Sequence, residues 1–398
     1  MHYRLLATLS LAATLTHLVI FSDSTAAQDI TKPENSVRFA TYNVALNRDA
    51  LGQLSKELEK GSSKKAQAIA EVIQRVRPDV LLINEIDYDD GKSVKLFAEK
   101  YLTVGQNDNE PLKYKHHYFA PVNTGVDSGM DLDGNKKLGQ ASDAFGFGQF
   151  PGKYGMAVLS NFEIDRDNIR TFQKFLWKDM PNAAVPRAPG AKENYYSDEI
   201  MEKFRLSSKS HWDVPIMIGE TPIHFLACHP TPPVFDGPED KNGCRNHDEI
   251  RMWADYVNGK GDYLYDDAGK KGGLKSGTRF VIAGDLNADP VDGATRPGAI
   301  DQLLKNDMVS GSINPKSTGG VYWSDKQGGK NKEHKGDASC DTGDFSDGRV
   351  GNMRVDYVLP SKTLKVTNSG VFWPKPDEAG AESAKASDHR LVWIDIEK

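Results

Sequence analysis

Two oxygen-bearing side chains near the start of the chain stand in apolar segments, where they could hold a divalent cation. Glu85 comes at the end of the apolar run in LLINEID, and Asn43 lies within TYNVAL. A carboxylate in such a segment is costly to remove from water unless it binds a cation or a basic group. The alternative for Glu85 is a carboxylate that forms a salt bridge at the edge of a sheet. We therefore take Glu85 as a candidate ligand of a cation, and Asn43 as a group that could contact a metal or a phosphate.

The segment FVIAGDLNADP places a carboxylate and an amide directly after an apolar strand. The strand runs through Gly284 into Asp285, and Asn287 follows two residues later. If the backbone stays extended, this spacing puts both side chains on one face. From there they could orient a water molecule and hold a phosphoryl oxygen. The alternative is a turn, because Asp and Asn both favour turns.

Two histidines and two further aspartates complete the set of chemically competent residues. His229 ends the segment FLACHP, where Pro230 stops the strand; alone, such a histidine is more often structural than catalytic. Asp356 lies inside the apolar segment RVDYVLP and needs a buried partner. A histidine suits it, because a carboxylate orients the ring and stabilises its charged form. The segment SDHRLVW supplies Asp388, which we expect to face a metal, and His389, which we expect to face Asp356 and a phosphate.

Apolar segments of strand length mix with helical patterns over the whole chain. Residues 37–46 and 79–87 predict strands, and the second is apolar enough to be covered on both faces. Residues 64–77 and 247–259 have apolar residues at helical spacing and predict amphipathic helices. Further strand candidates are GMAVLSNF, VPIMIG, PIHFLACHP, RFVIAGDLN, RVDYVLP and RLVWIDI. The mixture predicts an α/β or α+β fold with buried sheets, interrupted by long loop-like segments at 105–155, 165–210 and 311–350.

The ordered set TYNVAL, NEID, GMAVLSN, CHP, GDLNADP, RVDYVLP and SDHRLVW resembles the endonuclease/exonuclease/phosphatase superfamily. That group includes DNase I-like nucleases, abasic-site endonucleases, inositol polyphosphate phosphatases and bacterial sphingomyelinases. The resemblance implies a four-layer α/β/β/α sandwich of two packed, mixed and mostly antiparallel sheets, with the site at one edge. One departure is Asn84, which stands before Glu85 where the superfamily often has glutamine.

The resemblance also implies a role for each matching residue. Its metal-side ligands would be Asn43, Glu85 and Asp388, and its catalytic residues would be His229, Asp285, Asn287, Asp356 and His389. His229 would assist the leaving oxygen, Asp285 and Asn287 would orient water and contact the phosphate, and Asp356 would orient His389. The oxygen ligands suit Mg²⁺, or alternatively Mn²⁺ or Ca²⁺, better than Zn²⁺.

The function predicted from these residues is metal-dependent hydrolysis of a phosphoester, by a phosphodiesterase or a phosphatase. A nuclease and a sphingomyelinase-like lipid phosphodiesterase are alternatives within this class. With 50 Lys and Arg against 56 Asp and Glu, the net charge of −6 does not favour nucleic acid as the substrate. A second alternative is a noncatalytic, Ca²⁺-stabilised extracellular binding module, which would not need to keep both histidines and Asp285. We infer no protein partner.

The first 27 residues predict an export signal rather than part of the fold. Arg4 is followed by an apolar run from Leu5 to Phe21 and by small residues ending at Ala27. The alternative is a membrane anchor, but Thr and His interrupt the run, so we expect no stable span. We therefore predict a secreted or periplasmic protein, with residues 28–398 forming one catalytic domain.

Several basic residues are candidates for contact with the substrate. The segment FRLSSKSHW offers Arg205, Lys209 and His211 near the start of a strand. Arg245 and His247 are predicted to open a helix, and a helix N-terminus favours an anion.

The cysteines and the acidic loops are less informative. If Cys228, Cys244 and Cys340 include a disulfide, the pair most compatible with the sequence is Cys244 and Cys340, which lie in polar, Gly-rich segments. The acidic segments 131–135 and 341–348 lack the final glutamate of a helix-loop-helix calcium site, and we predict solvated turns.

Overall fold

A computed structural model describes residues 30–398 of the chain. The predicted export signal at residues 1–27 lies outside this range. Within the described range, no helix combines the length and the apolar character needed to cross a membrane.

The described residues form thirteen strands and eight α-helices, several of them very short. The strands are β1 Ser36–Leu46, β2 Val80–Ile86, β3 His116–Tyr118, β4 Met156–Ser160, β5 Arg170–Thr171, β6 His211–Ile218, β7 Thr221–Cys228, β8 Phe280–Asp285, β9 Gly343–Asp344, β10 Asn352–Met353, β11 Asp356–Pro360, β12 Val366–Phe372 and β13 Leu391–Glu397. The helices are α1 Gln53–Leu58, α2 Lys64–Val76, α3 Lys92–Phe97, α4 Asp198–Met201, α5 Lys241–Val257, α6 Asp301–Leu304, α7 Thr318–Gln327 and α8 Ala381–Ala384.

Eleven of the strands form two larger sheets, and each of these contains one parallel pair. The first sheet has the order β12-β13-β1-β2-β4-β3, in which only β1 and β2 run parallel. The second has the order β11-β8-β7-β6-β5, in which only β7 and β8 run parallel. The predicted pair of mixed, mostly antiparallel sheets is therefore confirmed.

Alternation along the strands explains how the sheets and helices stack. In β1, Phe39 belongs to the apolar core between the two sheets, whereas Tyr42 packs on the opposite face with Ile69 of α2. In the second sheet, Val281 faces the same central core, and Ile282 packs outward with Trp253 of α5. Because successive strand residues point to opposite faces, each sheet buries one face on the other sheet and the second on helices. The molecule is the predicted four-layer α/β/β/α sandwich.

The predicted element boundaries agree with the structure in most places. All the strand candidates appear, and the helix predicted at 64–77 is α2, whose N-cap Ser63 accepts a hydrogen bond from the amide of Ala66. The helix predicted at 247–259 begins earlier, at Lys241. Its first turn, KNGCRN, has few apolar residues, so the periodicity did not reveal it. Strand β12 was missed because VTNSGVF is polar in its first half.

The conditional pairing of Cys244 with Cys340 does not occur in the structure. Cys228, Cys244 and Cys340 are all buried free thiols. The Sγ atom of Cys244 lies 3.0 Å from Nη1 of Arg296, and that of Cys340 contacts Ser339. The thiols of Cys244 and Cys340 therefore contact different neighbours rather than each other.

Candidate functional site

The two parallel strand pairs end at the same edge of the sandwich, and the candidate residues lie there. Asn43 and Glu85 stand near the carboxyl ends of β1 and β2, and His229 and Asp285 stand at the carboxyl ends of β7 and β8. The antiparallel strand β11 contributes its first residue, Asp356, which pairs with Asp285 in the sheet register. Carboxyl ends of parallel strands meet at one edge, so the topology assembles the site.

Alternation also decides which side chains point between the sheets at this edge. Asp285 continues the inward series of Val281 and Ala283, and His229 continues that of Phe225 and Ala227. At the same place β8 approaches β7 so closely that a Cβ on Gly284 would lie 2.0 Å from the carbonyl oxygen of Cys228. A larger residue in place of Gly284 would therefore separate the strands that carry His229 and Asp285.

Asp285 is the centre of the cluster and is 1 % exposed. Its Oδ2 lies 3.1 Å from Nδ2 of Asn43, 3.3 Å from Nε2 of His229 and 3.6 Å from Nε2 of His389. Its Oδ1 accepts the backbone N–H of Asn287 at 3.0 Å. Burial opposes ionisation, but the charges of His389 and His229 outweigh it and lower the pKa of Asp285. The carboxylate is therefore ionised. Its Oδ2 is the atom on which the three nitrogen atoms of Asn43, His229 and His389 converge.

Asp356 and His389 form the buried pair that the sequence predicted. Nδ1 of His389 lies 2.8 Å from Oδ2 of Asp356, and both residues are at most 5 % exposed. Burial opposes protonation of His389, but Asp356 and Asp285 outweigh it and hold the pKa of His389 well above its usual value. The ring of Phe345 packs on His389 edge to face, with centroids 5.4 Å apart. The pair is thus arranged to present a charged Nε2 toward Asp285.

His229 has the opposite electrostatic character. It is 3 % exposed, and its Nδ1 is buried without a hydrogen-bond partner in the described part of the chain. Burial lowers the pKa of His229, and the nearby charge of Lys209 lowers it further. The two histidines that flank Asp285 are therefore biased toward different protonation states: His389 toward the charged form and His229 toward the neutral form.

Glu85 is held in an unusual backbone conformation beside Asn43. Its φ of 60° is left-handed, which is uncommon for a residue with a side chain and is retained where the surroundings impose it. Oε1 accepts from Nδ2 of Asn43 at 3.2 Å, and Oε2 accepts from Nδ2 of Asn47 at 3.0 Å. Among the described residues, no basic side chain lies within ion-pair distance of this carboxylate.

Asp388 and Asn287 lie at the margin of the cluster. Asp388 is exposed, and only its backbone carbonyl forms a hydrogen bond, with the amide of Asp344. Burial lowers the pKa of Lys65, whereas the charges of Asp388 and Glu85 both act to raise it. Nζ of Lys65 donates to the carbonyl of Ala45. Asn287 has a φ of 51° and donates from Nδ2 to the carbonyl of Pro230 at 3.1 Å.

The residues at Glu85 fit a hard divalent cation. Among the described residues, its carboxylate has no ion-pair partner within 4 Å, and the exposed carboxylate of Asp388 adds further oxygen atoms. Asn43 presents Nδ2 to Glu85 while its Oδ1 accepts the amide of Ala45, so its amide would have to turn to offer an oxygen to a cation. Such oxygen ligands suit Mg²⁺, Mn²⁺ or Ca²⁺. Asp285, Asp356 and His389 are also close enough together to hold an ion. In that group, however, Nδ1 of His389 is already bonded to Asp356, so we assign the cation to Glu85.

A second group of carboxylates, Asp131, Asp133 and Asp143, could also hold an ion by distance alone. All six of its oxygen atoms already accept hydrogen bonds from the surrounding loop. Backbone amides of the loop hold these carboxylates, and the group lies away from the strand ends that carry Asn43, Glu85 and Asp285, so we assign the catalytic cation to Glu85 rather than here.

The four predicted substrate contacts are not brought into the cluster. His211 is fully buried and bonds to Ser207 and to the carbonyl of Glu249. Arg245 is buried and donates to the carbonyls of Leu206, Phe145 and Arg205. Arg205 donates to Asn123, and His247 bonds to Asp248. Because α5 begins at Lys241, Arg245 and His247 also do not open the helix, and the anion site expected there is absent from the described structure.

The buried position of His211 predicts a pH-dependent stability. Burial lowers its pKa to about 4, whereas an unfolded chain binds this proton near the ordinary value of about 6.5. The resulting stability is present above about pH 6.5 and is lost as the pH falls toward 4, because the unfolded chain gains the proton first. Between pH 7 and pH 4 we expect the wild type to lose about 3 kcal/mol more than His211→Gln. Chemical denaturation of both proteins at the two pH values measures this, and equal losses would contradict it.

Three residues beside the cluster were not assigned by sequence reasoning. Asn47 donates to Glu85, and Phe345 covers His389. Tyr154 lies near Glu85; burial raises the pKa of its hydroxyl and the charge of Glu85 adds to this effect. All three come from loops, where no periodic pattern marks the residues that turn toward a site.

Comparison with known proteins gives one match that covers most of the chain. The model of the Endonuclease/Exonuclease/phosphatase family matches residues 40–389. No curated protein matches.

Several solved structures are similar at low sequence identity. An endonuclease/exonuclease/phosphatase from Beutenbergia cavernae is 17 % identical over 91 % of this chain and 72 % of that one, with a TM-score of 0.49. A mannosyl-6-phosphatase from Bacteroides thetaiotaomicron is 12 % identical over 91 % and 99 % of the two chains, with a TM-score of 0.44. Sphingomyelinase C from Streptomyces griseocarneus is 13 % identical over 90 % and 99 %, with a TM-score of 0.41.

Proposed function

The chain belongs to the endonuclease/exonuclease/phosphatase family, and from that premise we propose that it is an exported phosphoester hydrolase that requires a divalent metal. The observation that carries the proposal is the convergence of Asn43, His229 and His389 on one oxygen of Asp285. A phosphoryl group bound at this point would meet nitrogen donors on several sides. Family membership supports hydrolysis of a phosphate ester in general. The roles of Asn43, His229, His389 and Asp285 in that reaction are proposed here.

The cation would be held by Glu85 with Asn43 and Asp388. When bound, it supplies Lewis-acid polarisation of a phosphate oxygen and neutralises developing negative charge. Glu85 has no competing ion pair within 4 Å among the described residues, so the carboxylate is available for this role.

His389 would stabilise the negative charge that develops on the phosphoryl oxygens. Asp356 fixes the ring through Nδ1 and favours its charged form, so Nε2 donates toward the site. A donor held in place before the reaction stabilises the transition state without a reorganisation cost.

Asp285 would orient the attacking water, and His229 would assist the leaving oxygen. The ionised carboxylate of Asp285 accepts a hydrogen bond from water and directs its lone pair at phosphorus. Nε2 of His229 lies 3.3 Å from Asp285, and in the neutral ring it would donate a hydrogen bond to the leaving oxygen. Asn287 would hold a phosphoryl oxygen. Within residues 30–398, the one serine bonded to a histidine ring is Ser207, with His211, and it is fully buried. We therefore expect direct attack by water rather than a covalent enzyme intermediate.

Two features bear on the class of substrate. The net charge of −6 does not favour a polyanion such as DNA, whose affinity rests mainly on phosphate contacts. Phe235, in the loop that follows His229, is 90 % exposed and has a left-handed φ of 66°. An exposed aromatic side chain six residues after His229 favours a phosphodiester that carries an apolar group, as in a lipid or an aryl ester. Nuclease activity is the alternative.

A panel of phosphoesters tests the proposal. We expect Mg²⁺-dependent hydrolysis of bis(p-nitrophenyl) phosphate and of sphingomyelin, with weaker activity on plasmid DNA, and loss of activity when EDTA removes the metal. Absence of hydrolysis across these substrates and inositol phosphates would contradict the proposal. If Ca²⁺ then still raised the thermal unfolding temperature, the noncatalytic binding module would be favoured. Detection of the mature chain outside the cytoplasm, with residues 1–27 removed, tests the proposed export.

A further inference from the structure

Lys209 differs from the other basic residues of its segment because its charge has no partner. It is 6 % exposed, yet within the described part of the chain its Nζ forms no hydrogen bond and no ion pair within 4 Å. Arg205 and His211, the basic residues on either side of it, are bonded to Asn123 and to Ser207. Nζ is not among the fully buried polar atoms that lack a partner in the described residues, so it keeps contact with solvent. A charged group held in this way, largely buried and unpaired, is open to an anion from outside the chain.

The backbone around Lys209 is fixed by several hydrogen bonds. Its carbonyl accepts the amide of Asn123 at 2.9 Å, and the amide of Ser208 donates to Oε1 of Glu249 at 2.6 Å. Oε2 of Glu249 accepts the amide of Thr231 at 2.6 Å, so one buried carboxylate joins the loop before β6 to the loop after β7. The position of Lys209 is thereby set relative to the loop that carries His229.

Strand pairing brings the segment that contains Lys209 to the loop that contains His229. In the antiparallel pair β6–β7, His211 is opposite Cys228, so the residues just before β6 and the residues just after β7 are neighbours. The hydroxyl of Ser208 donates to the carbonyl of His229 at 3.4 Å, which confirms that the two loops touch.

The charges around Lys209 belong to the same site. Burial lowers the pKa of its ammonium group, whereas Glu249, Glu85 and Asp285 act in the opposite direction. Two of these three carboxylates, Glu85 and Asp285, are the proposed metal-side and water-side groups. Lys209 therefore interacts with the charges of the cluster, and the hydrogen bond from Ser208 to His229 brings the neighbouring backbone to the same place.

We propose that Lys209 donates a hydrogen bond to a nonbridging oxygen of the substrate's phosphoryl group, beside His229. This inference rests on the proposed function, because it takes the phosphoryl group to bind near Asp285. A charged donor in this place would hold the phosphate in both substrate and product. Its loss should therefore weaken the binding of inorganic phosphate as well as turnover.

The test compares Lys209→Met with Lys203→Met, which removes the same charge from an exposed position in the same segment. We expect Lys209→Met to lower kcat/KM for bis(p-nitrophenyl) phosphate by about 10- to 100-fold, in line with the loss of one charged hydrogen bond. Inhibition by inorganic phosphate should weaken about 10-fold, and the thermal unfolding temperature should stay the same or rise. Lys203→Met should leave all three quantities unchanged, and Lys209→Arg should restore part of the phosphate binding.

Two results would overturn the inference. One is a kcat/KM and a phosphate inhibition constant within about threefold of the wild type. The other is a fall in activity and in unfolding temperature together, with unchanged phosphate inhibition, which would indicate a structural role. If Lys209→Met does not fold, Lys209→Gln is judged by the same two criteria.

The outcome can be separated from failure of the proposed function. If the wild type hydrolyses no phosphoester, the proposed function fails, and thermal stabilisation by inorganic phosphate still tests Lys209. Stabilisation of the wild type but not of Lys209→Met would support the inference, and equal stabilisation of both, or of neither, would overturn it.

Discussion

Replacing His389 with glutamine is expected to lower kcat by about three orders of magnitude while the protein stays folded. The charged ring is held by Asp356 at 2.8 Å and directs Nε2 toward Asp285. Removal of a donor that is fixed toward a developing negative charge costs about 10²–10³ in kcat, and loss of a positioned acid or base costs about 10²–10⁴. Glutamine keeps the size and polarity of the side chain but cannot carry the positive charge.

Steady-state kinetics of three variants would test this prediction. Asp356→Asn should also lower kcat, by a smaller factor, because His389 remains but loses its orientation and its charge stabilisation. His116→Gln is the matched control, since His116 lies on β3 at the far edge of the first sheet. A kcat for His389→Gln within tenfold of the wild type would remove His389 from the proposed mechanism.

Replacing Glu85 with glutamine is expected to abolish both metal-dependent activity and metal-dependent stabilisation. Glu85 is the candidate ligand that carries a charge and lies among the site strands, and its left-handed backbone keeps the carboxylate beside Asn43. A ligand that binds only the folded state raises stability by about 2.7 kcal/mol at one hundred times its Kd. The wild type should therefore unfold at a higher temperature in Mn²⁺, and Glu85→Gln should not.

The control for Glu85 is Asp133→Asn, which changes a carboxylate of the loop group to which we did not assign the catalytic cation. Asp133→Asn should retain the full Mn²⁺ effect on unfolding and on activity. If Glu85→Gln kept the stabilisation and Asp133→Asn lost it, the cation would bind in the loop and the assignment to Glu85 would be wrong.

The candidate site was predictable from sequence where a polar residue ends an apolar strand. Asp285 and His229 are such residues, and strand alternation carries each of them to the inner face at one edge of the sandwich. Asp356 was predictable for a related reason, because a carboxylate inside a buried strand needs a partner and His389 was available. All three positions follow from the apolar pattern of the local sequence and from the free-energy cost of burying a charged group.

The substrate contacts could not be predicted in this way, because the partner of a long basic side chain is set by the tertiary fold. Arg205, Lys209 and His211 look equivalent in sequence, but the packing of α5 and of the neighbouring loops satisfies two of them and leaves Lys209 unpaired. The direction of the Glu85 side chain could not be predicted either. Its left-handed backbone interrupts the strand alternation that would otherwise decide on which face of the sheet the side chain lies. The start of α5 was missed because its first turn is held by tertiary contacts rather than by apolar periodicity.

A crystal structure of the protein with Mn²⁺ and inorganic phosphate tests the central claim most directly. We predict an anomalous Mn²⁺ peak at the carboxylate of Glu85, and a phosphate that contacts His229 and His389 beside Asp285. A peak at Asp131 and Asp133, or a phosphate bound away from both histidines, would contradict the account.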